Sequence, residues 1–175
     1  RRQGGRRNGG RTAQMGGQHP ARGPGDIPDH AALRAMSGME FMQGVLDGSL
    51  PAAAIAAVMD FRLTAVAPGT ATFRGTPAFA HTNPMGGVHG GWYGTILDSA
   101  LGCAVMTLVP RGRWYTTLEY KVNLTRALAV GVEVECTATV SHLGRTTATA
   151  EGRIRGLADG RLYATGSTTC LVMGG

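Results

Sequence analysis

Hydrophobic and polar positions follow two different periods along this chain. From residue 58 to 76, and again from 114 to 173, apolar and β-branched residues alternate with polar ones, the period of two that sends successive side chains to opposite faces of a sheet. The first stretch reads as a hairpin, 58–67 and 70–76, turning at Pro68-Gly69. The second reads as four strands, 114–126, 131–142, 146–156 and 162–173, with short turns at Leu143-Gly144-Arg145 and Ala158-Asp159-Gly160-Arg161. Helical spacing precedes the hairpin: Met39, Met42, Leu46 and Leu50 recur on one face of a helix over 36–50, and an alanine-rich helical turn or loop follows over 51–58. Between the two β regions lies 90–108, almost wholly apolar or small, entered through glycines 86, 87, 90 and 91 and stopped by Pro110 and Gly112. A helix apolar on every side belongs in a core. Several antiparallel strands wrapped around one such helix define an α+β domain.

The central segment carries a single carboxylate, Asp98. A membrane span of nearly this length is the competing reading, but Asp98 is costly in lipid and strand-like segments follow at once. Asp98 also lies nine residues after His89 in the run Asn83-Pro84-Met85-Gly86-Gly87-Val88-His89-Gly90-Gly91. On one helix that is about 13 Å of rise and roughly half a turn out of phase, so the two groups cannot meet at one reaction centre within one helix. If both serve one site, the second helix is most simply that of an identical subunit across a two-fold axis. The motif therefore implies a dimer.

These residues resemble a known family. The pattern Asn83-x-x-Gly86-x-x-His89-Gly90-Gly91, with Asp98 nine residues past the histidine, is similar to the hotdog-fold acyl-CoA thioesterases of the phenylacetic-acid-degradation (PaaI) type. The likeness continues in Thr116-Thr117-Leu118-Glu119-Tyr120-Lys121-Val122-Asn123-Leu124 and in Gly144-Arg145-Thr146, and it covers roughly residues 60 to 172. It implies a hotdog fold, an antiparallel sheet wrapped around the central helix, in a homodimer or a dimer of dimers. It also implies hydrolysis of an acyl- or aryl-CoA thioester, with no metal and no cofactor beyond the coenzyme A of the substrate.

Site residues follow from the resemblance. Backbone N–H groups of Gly90 and Gly91, at the positive end of the helix dipole, would stabilise the oxyanion, with Gly90 the favoured donor. Asp98 of the partner subunit would attack the carbonyl or activate a water, and burial among apolar neighbours should make it harder to ionise. Asn83 would orient the thioester or the water, although Asn-Pro is also a common turn; His89 would touch the carbonyl or hold the loop. Family members often carry Ser or Thr one turn beyond the acid, where this chain has Gly102, leaving Thr117 on the next strand as a substitute hydroxyl. Arg145, with Gly144 in its turn, would meet the nucleotide phosphates, helped by Arg126 or Arg111.

Composition changes this picture only at the N-terminus. Of the formal charge of +6, residues 1 to 26 hold +5, from Arg1, Arg2, Arg6, Arg7, Arg11 and Arg22 against Asp26. Rich in glycine and poor in large apolar residues, the extension over 1–35 is expected to be disordered, with the thioesterase domain occupying 36–175. No aromatic residue interleaves with the arginines, so nucleic acid is not the expected partner. The sequence opens on Arg rather than Met, consistent with a fragment, a processed end or a misassigned start, and the extension lacks the amphipathicity of a transit peptide. Cys103, Cys136 and Cys170 are too widely spaced for a zinc motif and read as free, mostly buried thiols of a cytoplasmic protein, with Cys103 too far round the helix from Asp98 to act as a nucleophile beside it. Two other functions remain open: a non-catalytic acyl-CoA sensor, which needs no carboxylate at the thioester, and a hotdog enoyl-CoA hydratase, whose Asp and His pair is not recognisable here.

Overall fold

The helix expected over 36–50 is trimmed at both ends by its own caps. Ser37 and Glu40 form a reciprocal capping box, and Gly48 closes the C-terminus with a left-handed φ of 85° that other residues adopt only with strain. The computed structural model describes residues 17–174. Its helices are α1 (His30–Arg34), α2 (Gly38–Asp47), α3 (Ala54–Val58) and α4 (Gly90–Met106). Its strands are β1 (Phe61–Ala67), β2 (Thr70–Gly75), β3 (Trp114–Leu124), β4 (Val134–Leu143), β5 (Thr147–Gly156) and β6 (Leu162–Met173).

All six strands join one antiparallel sheet in the order β1-β2-β4-β5-β6-β3. The concave face is shaped by a lane of small residues: Ala138 pairs with Gly152, and Gly152 with Gly166, across three neighbouring strands. A Cβ at Gly152 or Gly166 would meet the Leu97 side chain at 3.2–3.3 Å, so α4 rests where the sheet is thinnest. Trp92, Ile96, Leu97, Leu101 and Val105 are at most 1% exposed there, which accounts for the all-round apolar character of the segment. This is the hotdog arrangement, a sheet wrapped around one central helix.

The expectation of disorder to residue 35 fails over residues 17 to 35. The Ala21 N–H donates to Ala52 O at 2.9 Å and the Ala52 N–H to His19 O at 2.8 Å. Gln18 Nε2 donates to Leu63 O at 2.7 Å and Leu46 O at 3.2 Å, and Asp29 caps α1 through the Ala32 N–H. Composition counts apolar side chains, and this segment is tied down by main-chain and amide hydrogen bonds instead. The expected disorder of residues 1 to 16, with Arg1, Arg2, Arg6, Arg7 and Arg11, lies outside the described residues.

Candidate active site

The loop ahead of α4 is locked from below by His81. Its buried ring accepts the Ala78 N–H at Nδ1 (2.9 Å) and so donates from Nε2 to Val58 O (2.8 Å), while its carbonyl receives the His89 N–H at 2.9 Å. A bridge between Thr82 and Val88 closes the loop, and Asn83 folds it: Asn83 Oδ1 accepts the N–H groups of Met85 (3.0 Å) and Gly87 (3.2 Å). The turn reading of Asn83 therefore holds for its oxygen, and Nδ2 remains without a protein partner among the described residues.

His89 is the N-cap of α4, and its Nδ1 accepts the Gly91 N–H at 2.8 Å. This contact separates the two glycines that the sequence placed together as donors. The Gly91 amide is engaged by the histidine ring, whereas the Gly90 amide has no protein acceptor among the described residues and stands at the positive end of a 17-residue helix. Because Nδ1 accepts, the neutral ring carries its proton on Nε2, a second donor at the exposed helix start.

Asp98 projects two turns further along α4 into a cavity of about 280 Å³ between the helix, β1, β3 and the α2–α3 region. It is half-buried, and removal from water raises its carboxyl above the ordinary 3.8, opposed by a long (3.5 Å) hydrogen bond from Thr117 Oγ1. Phe41, Met42, Val45, Phe61, Leu63 and Phe73 make the cavity apolar away from the acid. Gln18 and Pro20 line it as well, so the N-terminal segment is one of its walls. Cys103 also lines it, its thiol pushed up to about 12 by burial and by Asp98, which leaves it protonated and inert.

Gly102 lies one turn beyond Asp98, and any side chain there would collide with Tyr115 Oη. Sequence reasoning passed over Tyr115, although its spacing of two from Thr117 on one strand signals a shared face. Of the arginines considered, Arg111 is paired with Glu40 at 2.7 Å and ties the loop after α4 to α2. Arg145 is exposed in the β4–β5 turn, where the Gly144 N–H bonds Thr147 O at 2.8 Å and the Arg145 carbonyl receives Arg113 Nη2 at 2.6 Å. Within one chain Arg145 lies in the β4–β5 turn, and no hydrogen bond or ion pair among the described residues joins it to the start of α4. Among the described residues, no three His, Cys, Asp or Glu side chains cluster as metal ligands, and no helix is long and apolar enough to cross a membrane.

Comparison with known proteins agrees with this architecture. The thioesterase superfamily model matches residues 85–163. A conserved protein from Pseudomonas aeruginosa superposes with a TM-score of 0.65 at 30% identity, over 70% of this chain and 95% of that one. A thioesterase family protein from Silicibacter pomeroyi gives 0.64 at 30% identity, over 69% and 90%. A phenylacetic acid degradation-related protein from Ralstonia eutropha JMP134 gives 0.69 at 26% identity, over 75% and 98%. No curated protein matches the chain. The chain belongs to the thioesterase superfamily, as a hotdog-fold thioester hydrolase of the phenylacetic-acid-degradation type.

Proposed function

We propose that this protein hydrolyses acyl- or aryl-CoA thioesters at a site shared between two subunits. The observation that carries the proposal is the division of labour along α4: an unengaged amide at Gly90 and a half-buried carboxylate at Asp98, eight residues and about 12 Å of helix apart. An oxyanion hole and a base must lie within a few ångströms of one carbonyl, so each has to be completed by a second copy. The surface for that copy is supported by the free edge strand β3, where Leu118 (58%), Tyr120 (46%) and Leu124 (54%) are exposed beside the start of α4. Pairing of β3 with its symmetry mate brings the two helices side by side in opposite directions.

In this reading the thioester oxygen takes the Gly90 N–H of one subunit, with His89 Nε2 and Asn83 Nδ2 as neighbouring donors. Asp98 of the other subunit removes a proton from a water whose oxygen adds to the carbonyl carbon. The C–S bond then breaks, coenzyme A leaves as thiolate and is protonated by solvent. Thr117 Oγ1 holds the carboxylate, Arg145 meets the phosphates of coenzyme A, and the apolar cavity takes the acyl group. Its ~280 Å³ is about twice the ~150 Å³ that accommodates benzene, room for a single substituted ring or a medium chain. No protein-bound metal or cofactor takes part, and the assembly is a homodimer or a dimer of dimers working in the cytoplasm. Thiol release across a panel of short, medium, long and aromatic acyl-CoAs tests the proposal: turnover should peak for acyl groups of that size, and absence of release from every member would refute it.

A further inference from the structure

We infer that Tyr115 is a positioning residue of the hydrolytic site: its hydroxyl, lying over Gly102 one helical turn beyond Asp98, holds the attacking water against the carboxylate. The inference rests on the thioesterase reading above and deepens it. Three observations converge on the role.

Positions 98 and 102 are one turn apart and share a face of α4. The space that a side chain at 102 would occupy is filled by Tyr115 Oη, with the tyrosine ring atoms Cζ and Cε2 at 3.2–3.3 Å from where a Cβ would stand. The hydroxyl is thus delivered to this place from β3 rather than from the helix itself.

Tyr115 Oη makes no hydrogen bond to protein among the described residues, and it lines the same cavity as Asp98 and Thr117. Tyr115 is only partly buried and its hydroxyl is not sealed from solvent, so its hydrogen bond goes to water rather than to protein. A water in the cavity supplies that partner. Bound there, it receives the Tyr115 O–H and donates to Asp98, which fixes one lone pair of its oxygen toward the incoming carbonyl.

The phenol also stays a donor. Burial raises its ionisation well above the ordinary 10.0, and Cys103, Cys170 and Asp98 nearby push in the same direction. Among the described residues, the titratable groups close enough to feel the Asp98 charge are Cys103 from α4, Tyr115 from β3 and Cys170 from β6, while Arg62 from β1 lines the cavity without contributing to the Asp98 shift. Both thiols are held protonated by burial, so they do not replace the phenol in orienting a water.

The test uses the full chain with Tyr115→Phe, Asp98→Asn, and the double variant Tyr115→Phe/Gly102→Ser. Tyr115→Phe keeps the ring and removes an oxygen that bonds no protein atom, so the melting temperature should hold. Its kcat should fall about tenfold with KM nearly unchanged, the effect of one hydrogen bond made in the transition state, and the ascending limb of its pH–kcat profile should move to higher pH. In the double variant a serine hydroxyl enters from the helix, with the Phe ring yielding a few tenths of an ångström, and should recover at least a third of the lost activity. A crystal structure of the wild type should show one water within hydrogen-bond distance of both Tyr115 Oη and an Asp98 oxygen. If Asp98→Asn is dead while Tyr115→Phe keeps wild-type kcat and pH profile, Tyr115 is only a wall and the inference falls alone. If Asp98→Asn stays active, the carboxylate mechanism falls and the Tyr115 role with it. A cavity containing no such water would also overturn it.

Discussion

Under the proposed shared site, in which the donor and the base come from different subunits, two inactive variants mixed together should produce activity. Gly90→Pro is the cleaner of the two perturbations. Residue 90 is the first of α4, a position where proline is favoured because its amide has no helical acceptor. The preceding residue, His89, already has φ −64° and ψ 138°, the extended backbone that a residue before proline adopts. A Cβ at position 90 would meet only Leu124 Cδ1, at 3.4 Å, an ordinary contact. The substitution therefore removes one N–H and little else, and kcat should fall by about 10²–10³, as for other oxyanion-hole donors. Asp98→Asn preserves shape and removes the proposed base. In a mixed dimer, one site combines both defects and the other is intact. Random pairing makes about half the dimers mixed, so co-refolded protein should recover about a quarter of wild-type thiol release. Circular dichroism must first show both variants folded, and differential tagging must show that mixed dimers form. Mixed dimers that remain inactive would refute the shared site and force both groups to act within one chain, against the ~12 Å that separates them.

Other expectations follow from the same geometry. Asp98→Asn alone should lower kcat more than tenfold with acyl-CoA binding retained, and calorimetric or fluorescence binding to a non-hydrolysable thioether analogue separates the two effects. Because burial raises the Asp98 carboxyl above 3.8, the folded state binds a proton that the unfolded chain has already released; thermal melts should therefore show the wild type losing stability relative to Asp98→Asn as pH rises from about 3.8 through the folded-state value, the oppositely shifted Glu40, Asp47 and Asp159 cancelling in the difference. A chain starting at Gly17 should keep wild-type kcat/KM, whereas one starting at Asp26 loses the Gln18 and Pro20 wall of the cavity and should discriminate less between acyl groups; equal selectivity profiles in the thiol-release assay would contradict that role for the segment. Arg145→Ala should raise KM for acyl-CoA several-fold at unchanged kcat, with the difference shrinking as salt is added; a KM independent of salt in both proteins would remove Arg145 from phosphate binding.

What the sequence determined by itself is whatever depends on periodicity and near neighbours. Alternation defined the strands within a few residues, and β6 (Leu162–Met173) coincides with the predicted 162–173. The apolar run after His89 specified a buried helix because a segment without a polar face has no solvent-facing orientation. The nine-residue step from His89 to Asp98 showed that one helix cannot bring them together, by helix geometry alone. Tertiary structure decided which neighbours each group meets across the sheet. No local pattern indicated that Arg111 would be committed to Glu40, or that Tyr115 would fill the place of a side chain at 102. The segment around Gln18 shows the same division: composition predicted disorder from its lack of apolar residues, but a Gln amide bonded to Leu46 and Leu63 and a main-chain bridge to Ala52 hold it against the cavity. Those contacts join residues 28 to 45 positions apart, so no local window of sequence contains both partners.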